Sequence, residues 1–247
     1  MKFEQVDFRY PDGTHVLHGI DLDLKPGTLT ALVGGSGAGK STLATLLARF
    51  ADVSGGAIRI GGVDLRDMDS ATLYRQVAFV FQEVRMLRTS VLDNLRLARP
   101  EASLAEVEEA AHAAQIHTRI EALPEGYDTQ LGGGIQLSGG EIQRLGIARA
   151  MLSEAPILVL DEATAASDPE SEAAIQQALS RLAKGRTVLV IAHRLSSIQD
   201  ADQIIVLQHG QIVERGQHQG LLEQQDAYAA LWQAEQFSAE GLGRAQP

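Results

Sequence analysis

One stretch limits the architecture more than any other. Gly34-Gly35-Ser36-Gly37-Ala38-Gly39-Lys40-Ser41 lies between a short apolar run, Thr30 to Val33, and a stretch that reads as a helix, Thr42 to Arg49. It fits G-x-x-x-x-G-K-[ST] at every fixed position. Backbone N–H groups of such a loop point inward and wrap a phosphate, and the following helix presents its positive end. In that setting Lys40 reaches the β- and γ-phosphates, Ser41 offers its hydroxyl to Mg2+, and Gly34, Gly35, Ser36, Gly37, Ala38, Gly39 and Thr42 complete the cradle. A chance match would arise in roughly one chain in a hundred of this size. A strand that runs into this loop and then a helix requires an α/β core.

A second element supplies chemistry. The apolar run Ile157-Leu158-Val159-Leu160 ends in Asp161-Glu162-Ala163-Thr164. A carboxylate at the end of a buried strand suits a magnesium ion held through water, the role expected of Asp161. A second carboxylate beside it can orient or deprotonate an attacking water, the role expected of Glu162. In isolation the pair would read as two solvated acids at a strand end. Together with the phosphate loop it points to nucleotide hydrolysis rather than passive binding.

The bulk properties bound the remainder. A chain of 247 residues can bury a full core. No apolar run approaches the eighteen or so residues needed to span a bilayer, and Met1-Lys2-Phe3-Glu4-Gln5 does not open a signal peptide. With no cysteine there is neither a disulfide nor a thiolate metal site. A net charge of −11 argues against a nucleic-acid partner, because duplex binders cluster Lys and Arg against phosphates.

Strand and helix patterns alternate along the chain. Phe3 to Tyr10 and His15 to Leu24 alternate apolar and polar residues, with Pro11-Asp12-Gly13 as the turn between them. Ile58 to Ile60 and Val77 to Phe81 read as further strands. Ser90 to about Ala122 is helical in pattern, with Ser103 and Glu106 at capping-box spacing. Helices are expected over Ser138 to Ser153 and Pro169 to Ala183, a strand over Thr187 to Ala192, a hairpin over Gln203 to Val213 around His209-Gly210, and a short helix over Ala227 to Gln236. The fold class is therefore α/β: a P-loop NTPase core with a mostly parallel sheet, an N-terminal antiparallel β part and an inserted helical subdomain. One domain is expected over 1–237, its helical part at about 84–153, followed by a disordered tail at 238–247.

Leu137-Ser138-Gly139-Gly140-Glu141 follows a glycine-rich loop and opens a helix. Ser138 and Glu141 have capping-box spacing, a structural role in its own right. A cap does not need two glycines, which weaken a first helical turn. Gly139 and Gly140 instead leave backbone N–H groups open to an anion. One chain then carries two phosphate-ready helix starts.

With these residues in place the chain resembles the nucleotide-binding cassette of an ATP-binding-cassette (ABC) transporter, over about Phe3 to Gln236. The LSGG core separates that family from other phosphate-loop proteins. The resemblance implies ATP as substrate, Mg2+ as cofactor and a second cassette as partner. Two cassettes pack head to tail, so Ser138, Gly139, Gly140 and Glu141 of one close over the ATP held by the other. It further implies that Tyr10 stacks on adenine, that Gln82 senses magnesium and links the site to a membrane domain, that Asp168 crosses the dimer interface, and that His193 contacts the γ-phosphate.

Asp161-Glu162-Ala163-Thr164, Ala192-His193-Arg194-Leu195 and Gly126-Tyr127-Asp128-Thr129 resemble the exporter-type branch. The branch implies a six-helix transmembrane domain as partner, fused or separate, and a place at the cytoplasmic face of the cell membrane. Four positions depart from its usual pattern: 131–135 read Leu-Gly-Gly-Gly-Ile, Glu141 replaces glutamine, 165–168 read Ala-Ala-Ser-Asp, and Phe81 replaces proline. At Phe81 and Glu141 the chain is similar to exporter-fold transporters that import iron–siderophores. The competing expectation is a soluble ABC ATPase without a transport partner. The chromosome-maintenance type would need a long coiled coil between Gly34 and Ser138, and the translation type two cassettes in one chain.

Overall fold

The computed structural model describes residues 1–132, 134–161, 169–192 and 194–243, with side chains described for all of these except 169–170 and 238–243. The chain divides into two compact units, Met1–Leu73 with Thr187–Pro247, and Tyr74–Arg186.

In the first unit, β1 (Lys2–Arg9), β2 (His15–Asp23), β4 (Gly55–Ile60) and β5 (Val63–Asp64) form an antiparallel sheet in the order β2-β1-β4-β5. Its buried face carries Phe3, Val6 and Phe8 from β1 and Leu17, Ile20 and Leu22 from β2. This is the antiparallel part expected at the N-terminus; β5, two residues long, falls below what hydrophobic alternation can reveal.

The same unit holds β3 (Leu29–Val33), β8 (Thr187–Ile191), β9 (Gln203–Gln208) and β10 (Gln211–Gly216) in the order β10-β9-β3-β8. β3 is parallel to both β8 and β9, and β9 and β10 form the expected hairpin. Four of the five residues of β3 are buried, the near-continuous apolar run of a strand covered on both faces. Ala31, Val33, Ile204 and Val206 share a core with Leu221 and Tyr228. Leu221 comes from α8 (His218–Gln224) and Tyr228 from α9 (Ala227–Gly243). α9 continues to Gly243, past Gln236, the end expected from the sequence, and into the stretch from 238 expected to be disordered. Beyond β3, α1 (Lys40–Leu47) buries Thr42, Leu43, Leu46 and Leu47.

α2 (Ser70–Gln76) leads into the second unit, where β6 (Val77–Val80) and β7 (Ile157–Asp161) pair in parallel, Val80 opposite Leu160. The helical insertion is present as α3 (Val91–Arg96), α4 (Leu104–Ala113), α5 (His117–Glu121) and α6 (Gly139–Leu152), with α7 (Pro169–Ala183) following β7. The long helical pattern from Ser90 is broken into pieces. Pro100 lies in the first gap, and Gln115, at φ 56, turns the chain after α4. Ser103 and Glu106 do form a capping box.

Two contacts anchor α6. Asn94, fully buried, donates to the carbonyls of Leu87 (3.0 Å) and Ser90 (3.0 Å) and accepts from Leu87 N–H (2.8 Å); Arg149 donates to the Asn94 carbonyl at 2.9 Å. Burial pulls the Arg149 guanidinium below its ordinary pKa. Near the middle of the helix, a Cβ on Gly146 would come 2.8 Å from both γ-methyls of Val84. Gly146→Ala is therefore expected to destabilise the protein. The overpacking cost of about 1–3 kcal/mol exceeds the helix-propensity gain of up to about 1 kcal/mol. Urea unfolding checks this. Adding Val84→Ala should restore part of the loss, and no restoration would place the strain elsewhere.

Candidate functional site

The phosphate-loop residues converge in the first unit. β3 ends at Val33 and the chain turns sharply: Gly34 has φ 152 and Gly39, the N-cap of α1, has φ 107. A side chain at Gly34 would collide with the Leu207 carbonyl, and a Cβ at Gly39 would come 2.8 Å from Leu17. Only glycine combines these angles with this packing. Gly35, Ser36, Gly37 and Ser41 are exposed, whereas Ala38, Gly39, Lys40 and Thr42 are buried.

Lys40 is only 6% exposed, a costly placement for an ammonium group. Its Nζ donates to the carbonyls of Gly34 (2.7 Å) and Gly35 (3.1 Å), so the charge is held across the loop it belongs to. The outer side of the loop is pinned by Gly210, whose N–H donates to the Ala38 carbonyl at 3.1 Å. Tyr10 joins the same cluster. Its ring is 40% exposed and meets Phe8 edge-on at 4.9 Å, and its hydroxyl lies 3.1 Å from Thr42 Oγ1. An open aromatic face thus stands beside the first turn of α1.

A cavity of about 340 Å³ touches the loop from its other flank, lined by Gly35 to Ala38, Val206 to His209, Ala227, Ala230 and Leu231. Lys40, Ser41 and Tyr10 do not line it, so it is not the face that these three residues present to a phosphate.

In the second unit, parallel pairing aligns two more candidates. Asp161 ends β7 and is half-buried, and Gln82, exposed, follows β6 by two residues. With Val80 opposite Leu160, both lie at the carboxyl ends of adjacent strands, where α/β sheets bind ligands. Glu162, Asp168 and His193 lie outside the described residues.

The Ser138 helix start is a complete capping box. Glu141 N–H donates to Ser138 Oγ (3.2 Å), and Ser138 N–H donates to Glu141 Oε2 (2.8 Å). The two glycines after it differ in role. A Cβ on Gly140 would lie 2.9 Å from Ser171 Cβ of α7, so packing alone excludes a side chain. At Gly139 a Cβ would meet nothing within 4 Å, and packing gives no reason for glycine there.

Glu141 has a partner that sequence reasoning missed. Arg119 of α5 donates through Nε to Glu141 Oε1 at 2.6 Å, with Glu141 only 17% exposed. Burial pushes the carboxyl upward, but the Ser138 N–H and the Arg119 guanidinium outweigh it and hold the Glu141 carboxyl below the usual glutamate range. Such a group stabilises the fold above the ordinary glutamate range near pH 4.3 and loses that contribution as pH falls through its lowered value. Glu141→Gln keeps an oxygen to accept the Ser138 N–H, as a capping box allows, but removes the carboxylate charge and with it the ion pair to Arg119. It should cost about 1–2 kcal/mol at pH 7, and the difference from wild type should shrink below about pH 4. Thermal melts at both pH values check this; a difference independent of pH would remove the charge from the explanation.

Comparison with known proteins follows the same lines. The ABC transporter family model matches residues 17–165, more than half the chain. The chain belongs to the ABC transporter family. This ABC cassette is 57% identical over 237 residues to the mycobactin import ATP-binding/permease protein IrtA of Mycolicibacterium smegmatis, covering 96% of the chain and 28% of that protein. It is 49% identical over 242 residues to the ATP-dependent lipid A-core flippase of Chromohalobacter salexigens, covering 97% of the chain and 42% of that protein. Among solved structures, a bacterial Atm1-family ABC exporter with ATP bound matches with a TM-score of 0.87 and 41% identity, covering 95% of the cassette and 41% of that chain. The cassette thus spans between about a quarter and two fifths of these relatives, and it is the nucleotide-binding part of an exporter-type ABC fold. Among the described residues, no helix is long and apolar enough to cross a membrane.

Proposed function

We propose that this cassette binds Mg-ATP and hydrolyses it to ADP and phosphate to drive substrate translocation by a membrane ABC transporter. The observation that supports it most is Lys40, its ammonium held by Gly34 and Gly35 carbonyls at the start of α1, beside the exposed ring of Tyr10. Tyr10 stacks on adenine. The loop 34–39 wraps the β-phosphate with backbone N–H groups, and Lys40 bridges the β- and γ-phosphates. Ser41, exposed on the first turn of α1, and Asp161 at the end of β7 offer the hard oxygen donors that Mg2+ takes, Asp161 through water. When bound, Mg2+ neutralises charge developing between the β- and γ-phosphates.

Glu162 positions and deprotonates the attacking water, Gln82 senses the metal, and His193 contacts the γ-phosphate. Ser138, Gly139, Gly140, Glu141 and Asp168 complete the site of a second cassette packed head to tail. Because Arg119 already pairs with Glu141, the carboxylate that meets the opposite nucleotide is a compensated one. The cassette acts with a six-helix transmembrane domain, fused or separate, at the cytoplasmic face of the membrane. The fused ATP-binding/permease organisation named for IrtA supports this partner.

Phosphate release measured across a dilution series tests the proposal. If each ATP needs two chains, activity per chain rises with concentration. A constant activity per chain down to the nanomolar range would mean that one chain is sufficient and would remove the second cassette from the mechanism.

A further inference from the structure

We propose that Asp7, His15 and His18 form a binding site for a divalent transition ion of the zinc class on the antiparallel sheet. The three residues are half-buried, and one ligand atom from each lies within 4.8 Å of the others. His15 Nε2 is 3.0 Å from Asp7 Oδ1, and the rings of His15 and His18 meet with centroids 3.9 Å apart at 65°.

Residues three apart on a regular strand point to opposite faces. His15 and His18 share a face because β2 is bulged. Phe8 pairs with Leu17, but the next residue, Arg9, pairs with His15, which leaves Val16 as an extra residue. The bulge brings two imidazoles onto the side where Asp7 stands.

A hydrogen-bonded His15–Asp7 pair needs no metal and is the plainer account of those two residues. It leaves His18 unexplained. Among the described residues its ring nitrogens have no hydrogen-bond partner, yet the residue is firmly placed: its N–H donates to the Gly210 carbonyl at 2.9 Å. Gly210 itself has no room for a side chain, since a Cβ there would come 2.7 Å from the His18 ring. A fixed imidazole with uncommitted nitrogens therefore faces a carboxylate–imidazole pair.

Two imidazole nitrogens and one carboxylate oxygen suit Zn2+, Co2+ or Ni2+ rather than Mg2+ or Ca2+, which take oxygen ligands. Ligands about 2.0–2.1 Å from a tetrahedral ion stand about 3.3 Å apart, so small side-chain rotations from the present positions close the site. A water takes the fourth position. The ion would join β1 to β2 just behind the turn Tyr10–Thr14, which is closed by Tyr10 N–H to the Thr14 carbonyl at 2.9 Å. It would thereby fix the Tyr10 ring. That consequence rests on the adenine role proposed for Tyr10, whereas metal binding itself does not.

The test is a Co2+ titration of tag-free full-length chain without nucleotide, followed by visible absorption. The expected result is a saturable set of four-coordinate d–d bands at micromolar Co2+, bleached by Zn2+. Asp7→Asn and His18→Gln, the latter close in volume, should each weaken binding by about ten-fold or more while circular dichroism stays native. His112→Ala should change nothing, although His112 stacks on His117 at 3.7 Å and offers the rival imidazole pair. Absence of saturable bands up to about a hundred micromolar, bands that survive His18→Gln in folded protein, or bands lost with His112→Ala would each overturn the proposal. None of these outcomes bears on ATP hydrolysis.

Discussion

Glu162→Gln is expected to lower ATP turnover by roughly 10²–10⁴-fold, the usual contribution of a general base, while leaving ATP binding close to wild type. The separation follows from where the charges lie. In the proposed site, affinity comes from the loop 34–39, from Lys40 and from the Tyr10 ring, none of which the substitution touches. In the proposed mechanism, turnover depends on Glu162, the residue after Asp161 at the end of β7, whose shape Gln keeps but whose basicity it lacks. Single-turnover phosphate release and calorimetric binding, measured on the same preparation, check the two halves. Turnover within a few-fold of wild type would remove Glu162 from the role of base.

Lys40→Ala should do the opposite and weaken binding itself. A single charge-assisted contact to phosphate contributes about 1.5–3 kcal/mol, so the ATP dissociation constant should rise by roughly 10–100-fold. The free protein gives a second readout. Lys40 is buried and satisfies the carbonyls of Gly34 and Gly35. Its removal leaves those groups to water and loosens the loop, so the melting temperature without nucleotide should change as well. ATP affinity unchanged by calorimetry would contradict the phosphate-loop assignment.

The parts of this protein that were legible in its sequence are those where a residue type is forced by local geometry. The phosphate loop could be read because Gly34 and Gly39 sit at angles and in contacts that admit no side chain. β3 and β7 could be read because strands covered on both faces carry a near-continuous apolar run, broken only by Thr30 in β3 and by Asp161 at the end of β7. Both capping boxes followed from a three-residue spacing. What escaped was either short or nonlocal. α2 has seven residues, too few for a helical period to stand out. The Arg119–Glu141 ion pair spans 22 residues and the Arg149–Asn94 bond 55, and nothing in the intervening residues marks them. Gly140 shows the limit from the other side: its glycine reads as an opening for an anion, yet Ser171 of α7 already excludes a side chain there. The site formed by Asp7, His15 and His18 depends on a bulge at Val16 that strand alternation does not reveal.

The head-to-tail pairing of two cassettes around ATP is the central claim, and light scattering of the Glu162→Gln chain tests it most directly. Without nucleotide the chain should scatter as the 26.5 kDa monomer. With saturating ATP, which the variant binds but scarcely hydrolyses, the mass should double, and Ser138→Arg, which crowds the LSGG helix start, should abolish the change. A chain that stays monomeric at saturating ATP and high protein concentration, or a dimer indifferent to Ser138→Arg, would contradict the account.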